Sequence, residues 1–96
     1  MPKGRTRLVF RIHAIQRMFQ RQVNENDVRW VIQNGETVEQ YPDDTPYPSR
    51  LLLGWRGARP LHVVVAYNEA EQETIVITVY EPDPLQWDAT FKRRVK

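Results

Sequence analysis

Apolar positions along this chain recur with two different periods, one after the other. From Ile12 onward they return every three or four residues, at Ile12, Ile15 and Phe19 with Met18 beside them. That spacing predicts an amphipathic helix over residues 13–21. Its other side carries His13, Arg17 and Arg21 at successive four-residue steps, flanked by Gln16 and Gln20. A second helix is predicted over residues 24–34. Asn24 is a good N-cap, Asp27 completes a shortened capping box, and Val23 and Val28 are spaced as a hydrophobic staple. Val28, Val31 and Ile32 form its buried stripe, and Asn34-Gly35 is expected to stop it with Gly35 in the left-handed conformation.

Elsewhere the period is two. Residues 7–12 alternate loosely and suggest a short first strand after a frayed start at Lys3-Gly4. Further strands are predicted over residues 37–41, 50–55, 61–67 and 74–80, the last being the most β-prone. Residues 41–49 hold three prolines and two aspartates and are expected to loop. Beyond Pro82 and Pro84, residues 85–91 suggest a helical turn or two with Trp87 and Phe91 four apart, and the last five residues are expected to be mobile. Short connections make the sheet antiparallel. The expected fold is therefore α+β, a two-layer sandwich. An N-terminal strand and two helices pack on one face of a meander of about four strands, in one domain with its core at residues 8–82 and a tail at 83–96.

Side chains two apart on a strand share a face. The apolar set Leu51, Leu53, Trp55, Leu61, Val63, Val65, Ile75, Ile77 and Val79 is expected to meet Ile15, Phe19, Val28, Val31 and Ile32. The reverse face then carries Arg50, His62 and Tyr80 and is expected to stay bare. If the last two strands pair so that residue numbers sum to about 142, His62 lies opposite Tyr80, with Arg50 joining from the neighbouring strand.

Composition narrows the chemistry. An apolar fraction of 41% with no cysteine supports one folded domain without disulfides or thiolate metal sites. Two histidines leave too few ligands for a metal centre, so no metal and no cofactor is expected. No apolar run approaches a membrane span and no leader is evident, so a cytoplasmic location and no membrane partner are expected. The net charge of +2 is uneven: residues 1–30 hold seven Lys/Arg against two acids. The basic start and basic tail form a footprint for a polyanion. Arg17, Arg21, Trp87, Lys92 and Arg93 are thus candidate RNA contacts.

RNA cleavage by the adjacent 2′-hydroxyl needs a base, an acid and a cation for the phosphorane charge. His62 is suited to proton transfer, Arg50 to phosphate, and Tyr80 to orienting the site or stacking on a base. His13, beside two arginines, is a second candidate. The alternatives are an ordinary hydrogen-bonded sheet histidine at 62 and solvated basic side chains on the helix.

Several fragments form an ordered set: His13-Ala14-x-x-Arg17-Met18-x-x-Arg21, Val23-Asn24-Glu25-x-Asp27-Val28, Asn34-Gly35-Glu36, residues 47–54 (YPSRLLLG), residues 60–64 (PLHVV) and residues 77–82 (ITVYEP). From about residue 10 to residue 94 this set resembles the bacterial family called domain of unknown function 4258 (DUF4258). That family looks like a branch of the RelE-like toxins, alongside BrnT and MqsR. The resemblance implies a RelE-like fold, an mRNA-interferase-like activity on RNA, including ribosome-bound mRNA, and a small antitoxin partner such as a YgiT-type zinc-finger protein. It makes His13, Arg17, His62 and Tyr80 the functional candidates. The rival expectation is a non-catalytic RNA- or protein-binding module, with residues 43–48 and the tail as docking surfaces.

Overall fold

The computed structural model describes residues 7–95; the expected fraying at Lys3-Gly4 lies outside them. Seven elements follow in order: β1 (Arg7–Phe10), α1 (Ile12–Arg21), α2 (Glu25–Asn34), β2 (Glu36–Tyr41), β3 (Ser49–Arg56), β4 (Arg59–Asn68) and β5 (Glu73–Tyr80). The fold is mixed α+β, with two helices and a five-stranded sheet in the order β1-β5-β4-β3-β2. The meander β2 to β5 is antiparallel throughout. β1 does not pack on a face with the helices, as expected, but extends the sheet as an edge strand parallel to β5. A parallel neighbour needs a crossover, and α1, α2 and the meander together supply it.

α2 starts where its side chains dictate. Asn24 Oδ1 accepts from the Asp27 N–H at 2.8 Å, and Asp27 Oδ2 accepts from the Asn24 N–H at 3.2 Å. This reciprocal box satisfies two donors at the helix start. Val23 and Val28 are both buried beneath it. The helix ends at Gly35 for a reason other than the one expected. Gly35 is extended, not left-handed. A Cβ there would sit 2.6 Å from the carbonyl oxygens of both Val31 and Leu53, so the residue must be small because two backbones converge. Gly54 on β3 plays the matching part, since a Cβ there would meet a Val31 methyl at 2.7 Å. α2 therefore rests on β3 through Val31.

The core joins Ala14, Met18, Val23, Val28 and Val31 to Leu52, Leu61, Val63, Val65, Val76 and Val79, with Leu8, Phe10 and Ile32 packed against it. Three expectations about it are corrected. On β3 the helix-side residues are Leu52 and Gly54, not Leu51, Leu53 and Trp55. Leu52 pairs with Val63 and Leu53 with His62, so β3 has the opposite phase to the one expected. On β5 a bulge leaves Ile77 without a register partner and changes the phase. Val79 and Val76 then both face the helices, while Ile75 pairs with Ala66 on the other side. On α1 the buried side chains are Ala14 and Met18, whereas Ile15 and Phe19 are exposed. α1 lies close against β5, where small Ala14 permits a near approach.

The reverse face is not bare. Leu51, Leu53, Ala66 and Ile75 are buried there, and residues 82–95 fold back over one end. This segment forms no helix over residues 85–91. It doubles on itself: the Asp88 N–H donates to the Arg93 carbonyl and the Val95 N–H to the Gln86 carbonyl, each at 2.9 Å. Lys92 and Arg94 form ion pairs with Glu36 and Glu39 on β2, so residues 92–95 are anchored to the sheet.

Candidate functional site

His62 lies on β4 directly opposite Tyr80 on β5, in the register that the sum of 142 anticipates. Leu61 and Val63 on either side face the helices, and strand alternation turns His62 to the other face. There it is wholly buried. Its Nε2 lies 2.9 Å from the carbonyl oxygen of Phe91, and its Nδ1 lies 3.3 Å from the Tyr80 hydroxyl. A carbonyl can only accept, so Nε2 carries a proton. In the neutral ring Nδ1 then accepts from the Tyr80 O–H. The Trp87 indole packs edge-on against the imidazole at 4.6 Å between ring centroids. Trp87 and Phe91 thus form the lid over His62, and Phe91 also touches Trp55.

Beside this pair lies an ionic one. Glu39 Oε2 accepts from Arg94 Nε at 3.0 Å, and Glu39 Oε1 accepts from Arg94 Nη2 at 3.3 Å. The Tyr41 hydroxyl also donates to Glu39 Oε1. The Arg94 guanidinium lies 4.6 Å above the Trp87 ring centroid. A bulge brings Glu39 and Tyr41 to this face. Thr37 pairs with Leu52, a helix-side residue, but Glu39 pairs with Leu51, so the extra residue Val38 turns the rest of β2 over.

Electrostatics follow from burial and these contacts. Desolvation pushes the His62 pKa down; the Phe91 carbonyl and the Glu39 charge partly oppose this, and Arg94 adds to it. Desolvation also raises the Tyr80 hydroxyl, which keeps its proton. The Arg94 hydrogen bond, then that of Tyr41, holds the Glu39 carboxyl below its ordinary range. At neutral pH the cluster is a neutral imidazole, a protonated phenol, an ionised carboxylate and a guanidinium. Such a set can move protons and hold an anion. An open depression of ≈ 360 Å³ lined by Tyr41, Pro42, Asp43 and Asp44 lies next to it, sharing Tyr41.

Of the residues singled out by sequence, the structure brings together His62, Tyr80 and Trp87. Arg50 does not join them. It pairs with Val65, three positions along β4 from His62, and an odd offset places it on the helix side. His13, Arg17 and Arg21 lie on α1, across the sheet from His62. Lys92 is tied to Glu36, and Arg93 is exposed. Glu39, Tyr41 and Arg94 were not foreseen. The bulge at Val38 has no local signature, and Arg94 is one cation among several in a basic stretch.

Among the described residues no helix is long and apolar enough to cross a membrane. No curated protein and no solved structure matches the chain. A family model does: that of the domain of unknown function DUF4258, over residues 10–81. This match takes in both helices, nearly all of the sheet and both members of the His62–Tyr80 pair, and the chain accordingly belongs to the DUF4258 family.

Proposed function

We propose that this protein is a metal-independent endoribonuclease of the toxin–antitoxin kind, held closed by its own C-terminal segment. The observation that carries this reading is the placement of His62 and Tyr80 side by side, next to the Glu39–Arg94 pair, under residues 82–95 rather than under a helix. The surface beneath that segment is polar: it holds an imidazole, a phenol and, beside them, the Glu39 carboxylate.

The chemistry follows from the atoms. Nε2 of His62 is turned toward the lid, so moving Phe91 aside presents it to a 2′-hydroxyl. With its ring proton moved to Nδ1 and donated to the Tyr80 oxygen, His62 takes the hydroxyl proton at Nε2. The new 2′-O–P bond forms as the 5′-O–P bond breaks, and Tyr80 gives its proton to the departing 5′ oxygen. Glu39 occupies on Arg94 the paired site that a phosphate also fits. Exchange of carboxylate for phosphodiester would place that cation on the phosphorane. The products are a 2′,3′-cyclic phosphate and a 5′-hydroxyl.

The test loosens the lid. Trp87→Ala is expected to cleave single-stranded RNA to cyclic-phosphate ends at pH 7, and adding His62→Ala is expected to abolish cleavage. Undiminished cutting without His62 would remove it from the mechanism. A second reading, a non-catalytic binding module, is favoured by the complete burial of His62 and the engagement of both its nitrogens. It predicts that Trp87→Ala cuts nothing.

A further inference from the structure

Trp55 stands near the end of β3, at the rim of the His62 face. Leu53 pairs with His62 and Trp55 with Pro60, so Trp55 and His62 are diagonal neighbours on one face, a spacing that an aromatic side chain can span. Tyr80 lies on the other side of His62, directly across from it on β5. The three side chains form a row that crosses β3, β4 and β5. Trp55 is 43% exposed, although its indole carries a large apolar area.

One residue touches both Trp55 and His62. The Phe91 ring leans on the Trp55 indole, 5.9 Å between ring centroids at 59°. The Phe91 carbonyl oxygen lies 2.9 Å from His62 Nε2. Phe91 does this at φ 60°, in the left-handed region that a bulky side chain rarely adopts. Such strain persists where surrounding contacts impose it. A strained residue thus lays an aromatic plane on an exposed indole and an oxygen on the neighbouring imidazole.

A nucleotide presents the same two groups when its 2′-hydroxyl meets His62 Nε2: a base plane and, within one unit, a sugar oxygen. We infer that Trp55 is the platform on which the base of the reacting nucleotide stacks, and that Phe91 holds that place in the closed chain. This role rests on the reading of His62 as a ribonuclease site. Stacking on an aromatic side chain is a common way to hold single-stranded RNA. Every base has a flat face, so Trp55 sets affinity and position rather than base identity. A peptide also fills both positions, as Phe91 does. The strain at Phe91 and the Arg94 guanidinium bordering the same face favour a nucleotide, which brings base, hydroxyl and phosphate in one unit.

The test is fluorescence anisotropy of a labelled single-stranded 2′-fluoro RNA, which has no 2′-hydroxyl to react, titrated with the full chain. Phe91→Gly suits the left-handed backbone and removes only the ring over Trp55. It is expected to bind the oligonucleotide about tenfold more tightly than the intact chain. Adding Trp55→Ala should remove that gain, and adding Trp55→Phe should keep most of it. An abasic nucleotide at one position should weaken binding to Phe91→Gly and have no further effect on the chain that also carries Trp55→Ala. A merely structural role for Trp55 would not produce that coupling. Circular dichroism checks that each variant is folded, and a synthetic peptide of residues 86–95 is titrated beside the RNA. The inference is overturned if Phe91→Gly binds no more tightly, if Trp55→Ala leaves binding unchanged, or if the peptide binds and the RNA does not. Cleavage by the Trp87→Ala chain is read separately. His62-dependent cutting with binding indifferent to Trp55 overturns the platform and spares the ribonuclease reading; Trp55-dependent binding without cutting does the reverse.

Discussion

Removing the Trp87 indole should loosen the C-terminal segment over His62 while the Arg94–Glu39 pair still ties its end to β2, and the cost can be worked from its surroundings. Trp87 is 3% exposed, whereas Trp30 and Trp55 are 42% and 43% exposed. Its ring touches His62 on one side and lies under Arg94 on the other. Truncating a buried Trp to Ala costs about 3–5 kcal/mol. The lower end applies here, because a segment with no helix or strand of its own can partly collapse into the space. A loss of about 3 kcal/mol in a domain of this size lowers the thermal midpoint by about 12–24 °C. Trp55→Ala, at the exposed rim, should cost about 1 kcal/mol, the centre of the range for single substitutions. The assay is thermal and urea unfolding of both variants, followed by circular dichroism so that loss of a fluorophore does not matter. A fall of less than about 4 °C for Trp87→Ala, or equal falls for the two, would refute the packing argument.

Four further outcomes follow from the structure. Burial lowers the His62 pKa, so between that folded value and the unfolded value of about 6.5 the unfolded chain binds a proton that the folded chain refuses. Stability from this group is fully present above that range and lost as pH falls through the folded pKa; unfolding midpoints should drop on going from pH 7 to pH 5, and His62→Gln should flatten the drop. Glu39 has the same sign at lower pH, its lowered pKa giving a loss only below about 4.3, which Glu39→Gln should remove. Gly54→Ala forces a methyl against Val31 and should cost about 1–3 kcal/mol by urea titration. Asn24→Ala, losing the capping box, should cost about 1 kcal/mol in the same assay.

Local signals were legible where local chemistry decides. The box at Asn24 and Asp27, the staple of Val23 and Val28, and the His62–Tyr80 register all follow from residues near one another in sequence or joined by a short hairpin. Sidedness was legible only in part. Two bulges, at Val38 and Ile77, each turn a stretch of strand over, and a bulge is set by how neighbouring strands fit rather than by its own side chain. One sends Glu39 and Tyr41 to the His62 face, which is why half of the ionic cluster went unseen. Periodicity likewise finds the Ile12, Ile15 and Phe19 stripe on α1 but cannot say whether the sheet covers it. Small Ala14 beside Met18 permits the closer approach to β5, and the bulkier stripe is left outside.

The account depends on His62 being a neutral, covered imidazole whose Nε2 proton is held by Phe91. Nitrogen-15 NMR of the ring across a pH series reads this directly. The account predicts an Nε2–H tautomer at pH 7 and titration below the ordinary histidine value, returning toward about 6.5 when Trp87 is replaced by Ala. An Nδ1–H tautomer in the intact protein, or titration at the ordinary value with Trp87 in place, would contradict it.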